Sequence, residues 1–333
     1  MSRRPTVKDV AEAAGVSVAT VSRALSGARV VRPELREVVV RTAENLGYRP
    51  HSIARALRRS RTGAIGMVVP KIENPFFPQL VGHADRVLQE HDLALLLCSS
   101  DDDPENEAKR ISILAERQID GLLISPCSQS ASAAALIDAT TRMPVVQFDQ
   151  RVPSVRSPFV GVDDAAGIAA VTAHLVATHR RRVAFIGADT DNWSGGRRRE
   201  GFETWARLMD PSALGRMESG DFSREFGLQA AKRLLSADGD IDAIVCANDL
   251  LALGALDAAT ELAIDVPSRL AITGFDDINI ATVSRPTLTT VRQPVAEIVE
   301  TAIDILLRAI DGDEDELPDV LLPVELVIRG SAP

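Results

Sequence analysis

Val7-Lys8-Asp9-Val10-Ala11-Glu12-Ala13-Ala14-Gly15-Val16-Ser17-Val18-Ala19-Thr20-Val21-Ser22-Arg23-Ala24-Leu25-Ser26-Gly27 is the most informative stretch of the chain. Thr6 precedes it as a helix cap, and Asp9, three residues on, can reach back to the free amide of Thr6. Val7, Val10, Ala11 and Ala14 recur at helical spacing and form one apolar face. Gly15 tolerates the left-handed exit that stops this helix. After about three residues of turn, Ser17 caps a second helix, Val18 to Leu25. Two short helices so tightly joined make a helix-turn-helix. Val21 and Leu25 are expected to face inward, with Val18, Ala19, Ser22 and Arg23 outward. The start of a second helix of this kind enters a DNA major groove, where small side chains allow close approach and an arginine can pair with guanine.

The surrounding residues agree with a polyanion partner at this end. Residues 1–61 carry 13 Lys and Arg against five acids, a surplus of +8, whereas the whole chain of 333 residues is at −10 and the remainder therefore at −18. A basic head on an acidic body points to nucleic acid bound at one end only. A third helix is expected from Pro33 to Leu46, burying Leu35, Val38, Val39, Thr42, Ala43 and Leu46. Gly47 would end it, and Tyr48, the single tyrosine, would pack on the three-helix core. From Pro50 to Arg61, Ser52 can cap a short helix reaching Arg59. About eight residues rich in arginine do not hold a helix alone, because nucleation is costly, so by itself the segment reads as a linker.

With Glu44-Asn45-Leu46-Gly47-Tyr48-Arg49-Pro50-His51-Ser52-Ile53-Ala54-Arg55-Ala56-Leu57 added, the chain resembles the lactose-repressor/galactose-repressor (LacI/GalR) family. That resemblance implies a DNA-reading role for Val18, Ala19 and Arg23, phosphate contacts for Thr20 and Ser22, and further contacts from Thr6 and Ser17. It also implies that residues 50–61 fold into a minor-groove hinge on DNA. There Leu57 would wedge between central base pairs, with Ala54 and Ile53 against the groove. One departure is Arg32, where the family has Ser or Thr as a cap before its third helix. Pro33 at the first helical position offsets part of that loss.

Beyond Thr62, apolar runs alternate with amphipathic stretches. The runs are Ile65–Val69, Leu93–Cys98, Gly121–Ile124, Val145–Phe148, Phe159–Val162, Val183–Gly187, Ala243–Cys246 and Leu270–Gly274, with a further strand at Val324–Ile328. Helical patterns include Gln79–Glu90, Pro104–Gln118, Ala165–Thr178, Arg224–Ala237 and Asp249–Leu262. Short continuous apolar strands between helices indicate parallel sheets covered on both faces, and the alternation restarts after Val162. The expected fold is therefore α/β, an N-terminal all-α helix-turn-helix head plus a core of two parallel-sheet α/β lobes. By the resemblance this core is periplasmic-binding-protein-like. Expected limits are 1–49 for the head, 50–61 for the hinge, 62–162 with 293–321 for lobe 1, and 163–292 with 322–333 for lobe 2. Asp311-Gly-Asp-Glu-Asp-Glu316 reads as a solvated acidic loop.

No phosphate-binding glycine loop, metal-protease helix or paired-cysteine motif is present, and Gly15–Ala19 lacks the last glycine of a nucleophile elbow. Five histidines lack metal-ligand spacing. Three cysteines in apolar runs read as reduced core residues. No enzyme activity, cofactor or metal is expected. The N-terminus has no apolar signal core and no run approaches the ~20 residues of a membrane span, so a cytoplasmic protein without a membrane partner is expected.

In open parallel sheets ligands bind beyond the carboxyl ends of the strands. Polar and aromatic residues gather there: Asn74, Phe76, Phe77, Asp101, Ser125, Asp149 and Gln150, then Asp189 to Trp193, Arg198, Phe222, Asn248, Asp249, Asp276 and Gln293. Each alone reads equally as a turn former or cap, Asp249 as the cap of its helix. The resemblance assigns effector positions to Asp149, Arg198, Asn248, Asp276 and Gln293, and more loosely to Phe77, Ser125, Trp193 and Phe222. Acids and amides with a stacking ring favour a sugar or sugar derivative as the small-molecule effector; a purine or a phosphoprotein partner stays open. The resemblance thus implies a homodimeric regulator, a repressor, on a double-stranded, pseudo-palindromic operator. A dimer rather than a tetramer is expected because no leucine-heptad helix follows Val324–Ile328. A transport-type binding protein, an α/β enzyme and an architectural DNA-binding protein are the rival readings.

Overall fold

The structure is a computed structural model that describes residues 5–25, 31–48, 61–188, 191–237, 239–313 and 318–333. The chain divides into two compact units, Met1–Gly63 and Ala64–Pro333.

In the first unit, α1 (Val7–Ala13), α2 (Val18–Leu25) and α3 (Pro33–Asn45) enclose a small core of Val10, Ala11, Val21, Ala24, Val39 and Ala43. The Asp9 carboxylate accepts from the Thr6 amide at 2.6 Å and from the Thr6 hydroxyl at 2.7 Å. Ser17 Oγ accepts from Thr20 N at 3.1 Å, closing the start of α2. Gly15 and Gly47 both adopt positive φ, +61° and +66°, where a side chain would be strained. Tyr48 packs on this core. Two expectations fail in α3: Val38 and Leu46 are 49% and 39% exposed. So small a bundle covers only one stripe of α3, the Val39–Ala43 pair one turn apart, and its neighbours stay wet. Arg32 makes no side-chain cap, as its side-chain chemistry dictates.

The second unit holds two sheets. Strands β1 (Ala64–Val69), β2 (Ala94–Ser99), β3 (Gly121–Ile124), β4 (Val145–Phe148), β5 (Phe159–Val162) and β11 (Val320–Leu322) form the first, ordered β11-β5-β4-β3-β1-β2 and wholly parallel. The second contains β6 (Val183–Ala188), β7 (Met217–Gly220), β8 (Ala243–Cys246), β9 (Ala271–Asp276), β10 (Thr289–Arg292) and β12 (Glu325–Val327), ordered β12-β10-β9-β8-β6-β7, with β12 antiparallel. Helices α4 (Phe76–Glu90), α5 (Pro104–Glu116), α6 (Ala133–Thr140) and α11 (Val295–Ile310) accompany the first sheet; α7 (Asp164–Ala177), α8 (Trp193–Met209), α9 (Arg224–Ala237) and α10 (Asp249–Glu261) accompany the second. The chain thus passes between sheets three times, near 163, 293 and 323.

Central strands of Val, Ile, Leu and Phe are buried on both faces, as helices on each side require. In α11, Ile298, Ala302, Ile305 and Leu306 recur at helical spacing and pack it on α4 and the strands of the first sheet. Helices α9 and α10 approach so closely that a Cβ on Gly227 would collide with the Leu251 backbone, and one on Gly254 with the Arg224 carbonyl and Leu228 amide. Among the described residues no helix is long and apolar enough to cross a membrane.

Candidate functional site

In each sheet the chain order reverses between its first and third strands, β1 and β3, then β6 and β8. At such switch points the loops diverge and leave a crevice at the carboxyl ends of the strands. Here the two crevices face one cavity of about 370 Å³, walled by Lys71, Asn74, Phe76 and Phe77 after β1, Asp102 after β2, and Cys127 after β3. Asp149 and Gln150 follow β4, with Asp191, Asn192, Ser194 and Arg198 after β6, Asp221, Phe222 and Ser223 after β7, Asn248 after β8 and Asp276 at the end of β9.

Arg198 organises the floor. Its Nε donates to Asp164 Oδ1 at 2.7 Å, and its Nη1 to the Ala247 carbonyl at 2.7 Å and to Asp276 Oδ1 at 3.4 Å. The guanidinium lies 3.7 Å from the Phe275 ring centroid, a stacked cation–π contact. Gln293 donates to Asp276 Oδ1 at 2.8 Å, and Ser125 to Asp149 Oδ2 at 3.1 Å. Desolvation by burial pushes Asp149 up to about 6 and Asp276 up to about 7, with the Arg198 charge opposing in both. Asp164 is raised for the same reasons. One cation cannot hold three buried carboxylates fully ionised, so the floor keeps protons near neutral pH. Asp149 and Asp276 also take positive φ, +60° and +112°. The latter falls outside the usual left-handed well, a strain of order 1–3 kcal/mol that the surrounding sheet must hold.

What these contacts leave open faces the cavity. Arg198 Nη2, Asp149 Oδ1 and Asp276 Oδ2 make no hydrogen bond among the described residues. Asn248 Oδ1 caps α10 by accepting from Leu251 N at 2.8 Å, and its Nδ2 donors are left over. Two donors and two acceptors converge beside Phe77 and Phe222. Neighbouring hydroxyls on a carbon ring each offer a donor and an acceptor and match such a set.

The lobes also touch directly. Ser128 and Ser130 donate through their hydroxyls to the Asp191 carboxylate, and Gln129 N donates to the Asp191 carbonyl at 2.9 Å. Gln150 Nε2 donates to Ser194 Oγ at 2.6 Å while its Oε1 accepts from Ser194 N at 3.2 Å. Burial pushes the Cys127 thiol up to about 12, so it is no nucleophile at neutral pH. Among the described residues no cluster of His, Cys, Asp or Glu fits a metal ion.

Of the nine sequence-derived effector positions, Phe77, Asp149, Arg198, Phe222, Asn248 and Asp276 are on the wall. Ser125 and Gln293 stand behind it as partners of Asp149 and Asp276. Trp193 is not on the wall: its ring meets Phe159 edge-on at 6.2 Å, with Arg151 over its face at 5.8 Å. Asp249 does not cap its helix; its carboxylate lies inside the lobe, accepting from Thr290 Oγ1 and Ile278 N. Asp101 is displaced by Asp102, and Cys127, expected in the core, is a wall residue. Lys71, Ser194, Asp221 and Ser223 are wall residues that the sequence reading passes over. All four follow strands, but β7 is too polar to be recognised as one, so its loop is marked only at Phe222.

On the first unit, Ser17, Val18, Ala19 and Arg23 are exposed, Thr6, Thr20 and Ser22 half-buried, and all but Thr6 occupy α2 or its cap. Ile53, Ala54 and Leu57, the expected hinge contacts, lie outside the described residues.

Comparison with known proteins agrees with this division. Residues 6–51 match the family described as bacterial regulatory proteins, lacI family, and residues 172–332 match a periplasmic binding protein-like domain. The chain is 30% identical over 333 residues to the HTH-type transcriptional repressor PurR of Haemophilus influenzae, with 98% of each chain covered. It is similar to the lac repressor dimer bound to operator and the anti-inducer ONPF, with 26% identity, a TM-score of 0.87 and 99% of each chain covered. It is also similar to the transcriptional regulator CelR in complex with cellobiose, with 28% identity, a TM-score of 0.74, and 98% of this chain and 100% of that one covered. The chain belongs to the LacI family: it is a DNA-binding transcriptional repressor with an effector-binding domain, and not an enzyme.

Proposed function

We propose that a sugar or sugar derivative bound between the two lobes controls how tightly a homodimer of this chain grips a pseudo-palindromic operator. The observation that carries this reading is the convergence of Arg198 Nη2, Asn248 Nδ2, Asp149 Oδ1 and Asp276 Oδ2 on one cavity beside Phe77 and Phe222. Cellobiose in the similar regulator CelR favours a saccharide here. The operator-bound dimer of the lac repressor favours the same assembly here. Exposed apolar side chains suit that assembly: Leu97 and Ile113 on one lobe, Ile280 and Val283 on the other, the last 70% exposed.

DNA is read by Val18, Ala19 and Arg23, with Thr6, Ser17, Thr20 and Ser22 on phosphates and Ile53, Ala54 and Leu57 in the minor groove. In this reading 1–49 is the head and 50–61 the hinge. Closure on a ligand changes the relation of the lobes, and the dimer transmits this to the hinges as a population shift. A coupling of ~1–3 kcal/mol is typical for such control. The test is a thermal-shift survey of the full chain against neutral sugars. A binder at 100 times its Kd stabilises by about 2.7 kcal/mol, and Asp276→Ala removes the shift. Sugars that leave the melting temperature unmoved, while another metabolite class raises it, overturn the saccharide reading.

A further inference from the structure

The cavity is also built to select by charge, an inference that rests on the reading that a polyhydroxylated effector binds there. Five carboxylates line it among the described residues, Asp102, Asp149, Asp191, Asp221 and Asp276, against two cations, Lys71 and Arg198. Both cations sit against acids. Arg198 is held by Asp164, Asp276 and the Ala247 carbonyl, with the Asp149 charge acting on it as well. Lys71 Nζ lies 3.9 Å from Asp102 Oδ2.

Helix N-termini are the other common receptors for anions, and those around this cavity each already hold one side-chain acceptor. Asn74 Oδ1 accepts from Phe76 N at 3.2 Å, Asn192 Oδ1 from Gly195 N at 2.8 Å, Ser223 Oγ from Phe226 N at 3.0 Å, and Asn248 Oδ1 from Leu251 N at 2.8 Å. At the mouth, Asp102 comes from the first lobe and Asp221 from the second. Both are exposed and line the same cavity; burial raises the Asp102 carboxyl, Lys71 opposes, and the Asp221 charge pushes it further up.

We infer that the effector carries no anionic group: the cavity accepts a neutral or ammonium-bearing polyol and rejects its carboxylate or phosphate counterpart, with Asp102 and Asp221 setting this selectivity. An anion entering the cleft meets like charge from both lobes, and the one open guanidinium donor, Arg198 Nη2, sits on the floor among buried carboxylates. An ammonium group in the same place would relieve the repulsion between the two acids and favour closure. Rejection of a charged analogue of this kind is specificity by a repulsive element.

The experiment uses the full chain and matched forms of glucose, galactose and mannose: the neutral sugar, the 2-amino sugar, the uronate and the 6-phosphate. Titration calorimetry reads each affinity, at low and at high salt. In a series that binds, the acid and phosphate forms are expected to bind at least about tenfold more weakly than the neutral or amino form, less so at high salt. Asp102→Asn with Asp221→Asn narrows that gap to a few-fold, since it removes the repulsion and releases Lys71. Both residues lie outside helices and strands, and the single substitutions are measured beside the pair. An acid or phosphate form that binds as tightly as the neutral sugar, or a gap unchanged in the double variant, overturns the inference. If no form of any series binds, the polyhydroxyl reading beneath it fails, and the inference falls with it.

Discussion

Arg198 Nε lies 2.7 Å from Asp164 Oδ1, and both side chains are buried. Asp164 opens α7 and Arg198 sits in the second turn of α8, so the pair ties two helices of one lobe to the cavity floor. Removing one member of a buried ion pair leaves an uncompensated charge, typically at 3–5 kcal/mol. Asp164→Ala is therefore expected to lower stability by about that amount, and Asp164→Asn by less, because the amide oxygen still accepts. Urea denaturation of the three proteins checks this. A loss below about 1 kcal/mol in Asp164→Ala would contradict the organising role given to Arg198.

The raised carboxyls make stability depend on pH. In the unfolded chain Asp149 and Asp276 ionise near the ordinary 3.8, whereas in the folded protein they hold their protons to about 6 and about 7. Between those limits the native state binds more protons, so the stability they contribute is complete in acid and lost as pH rises through 6 and then 7. Denaturation midpoints are expected to fall from pH 5 to pH 8, and to fall less steeply in Asp276→Asn, which cannot ionise. Equal slopes in the two proteins would place the titration elsewhere.

Gly254 and Gly227 let α9 and α10 touch backbone to backbone, next to the loops that carry Phe222 and Asn248. Gly254→Ala forces the helices apart, and overpacking of this kind costs about 1–3 kcal/mol. Gly239→Ala, where a Cβ meets nothing within 4 Å, serves as the control and is expected to be near neutral. Thermal melts of both variants decide it.

In the head, Arg23 is exposed on α2 and is not one of the core residues. Arg23→Ala is expected to lose about 1–3 kcal/mol of discrimination at a single base position and little elsewhere. Competition binding on operators carrying each base in turn reads this out. A uniform loss across all positions would make Arg23 a phosphate contact instead.

Much of the architecture was legible because physics writes it locally. Gly15 and Ser17 mark the turn of the head, and strands such as Val145–Phe148 are apolar along their whole length because helices cover both faces. Met217–Gly220 and Val320–Leu322 escaped notice. They are edge strands, partly wet, with polar or very few residues. Helix α8 begins Trp-Ser-Gly-Gly-Arg-Arg-Arg, and its inner face carries Ser194, Gly195 and Arg198 because it borders the cavity, so apolar periodicity does not announce it. The same locality explains the errors in the site. Position after a strand finds the crevice, but not which of two neighbours turns inward: Asp102 rather than Asp101, and Asn248 rather than Asp249 as the cap. Trp193 looked like a stacking ring by composition, yet Phe159 and Arg151 hold it between the lobes.

The central claim is that occupancy of the cavity decides the grip on DNA. It is tested most directly by titrating a sugar that stabilises the full chain into its complex with a genomic operator fragment, for the wild type and for Asp276→Ala. The expected result is a change in operator affinity of about tenfold or more in the wild type, with Asp276→Ala binding the fragment normally but unmoved by the sugar. An Asp276→Ala protein that responds as fully as the wild type would contradict the claim.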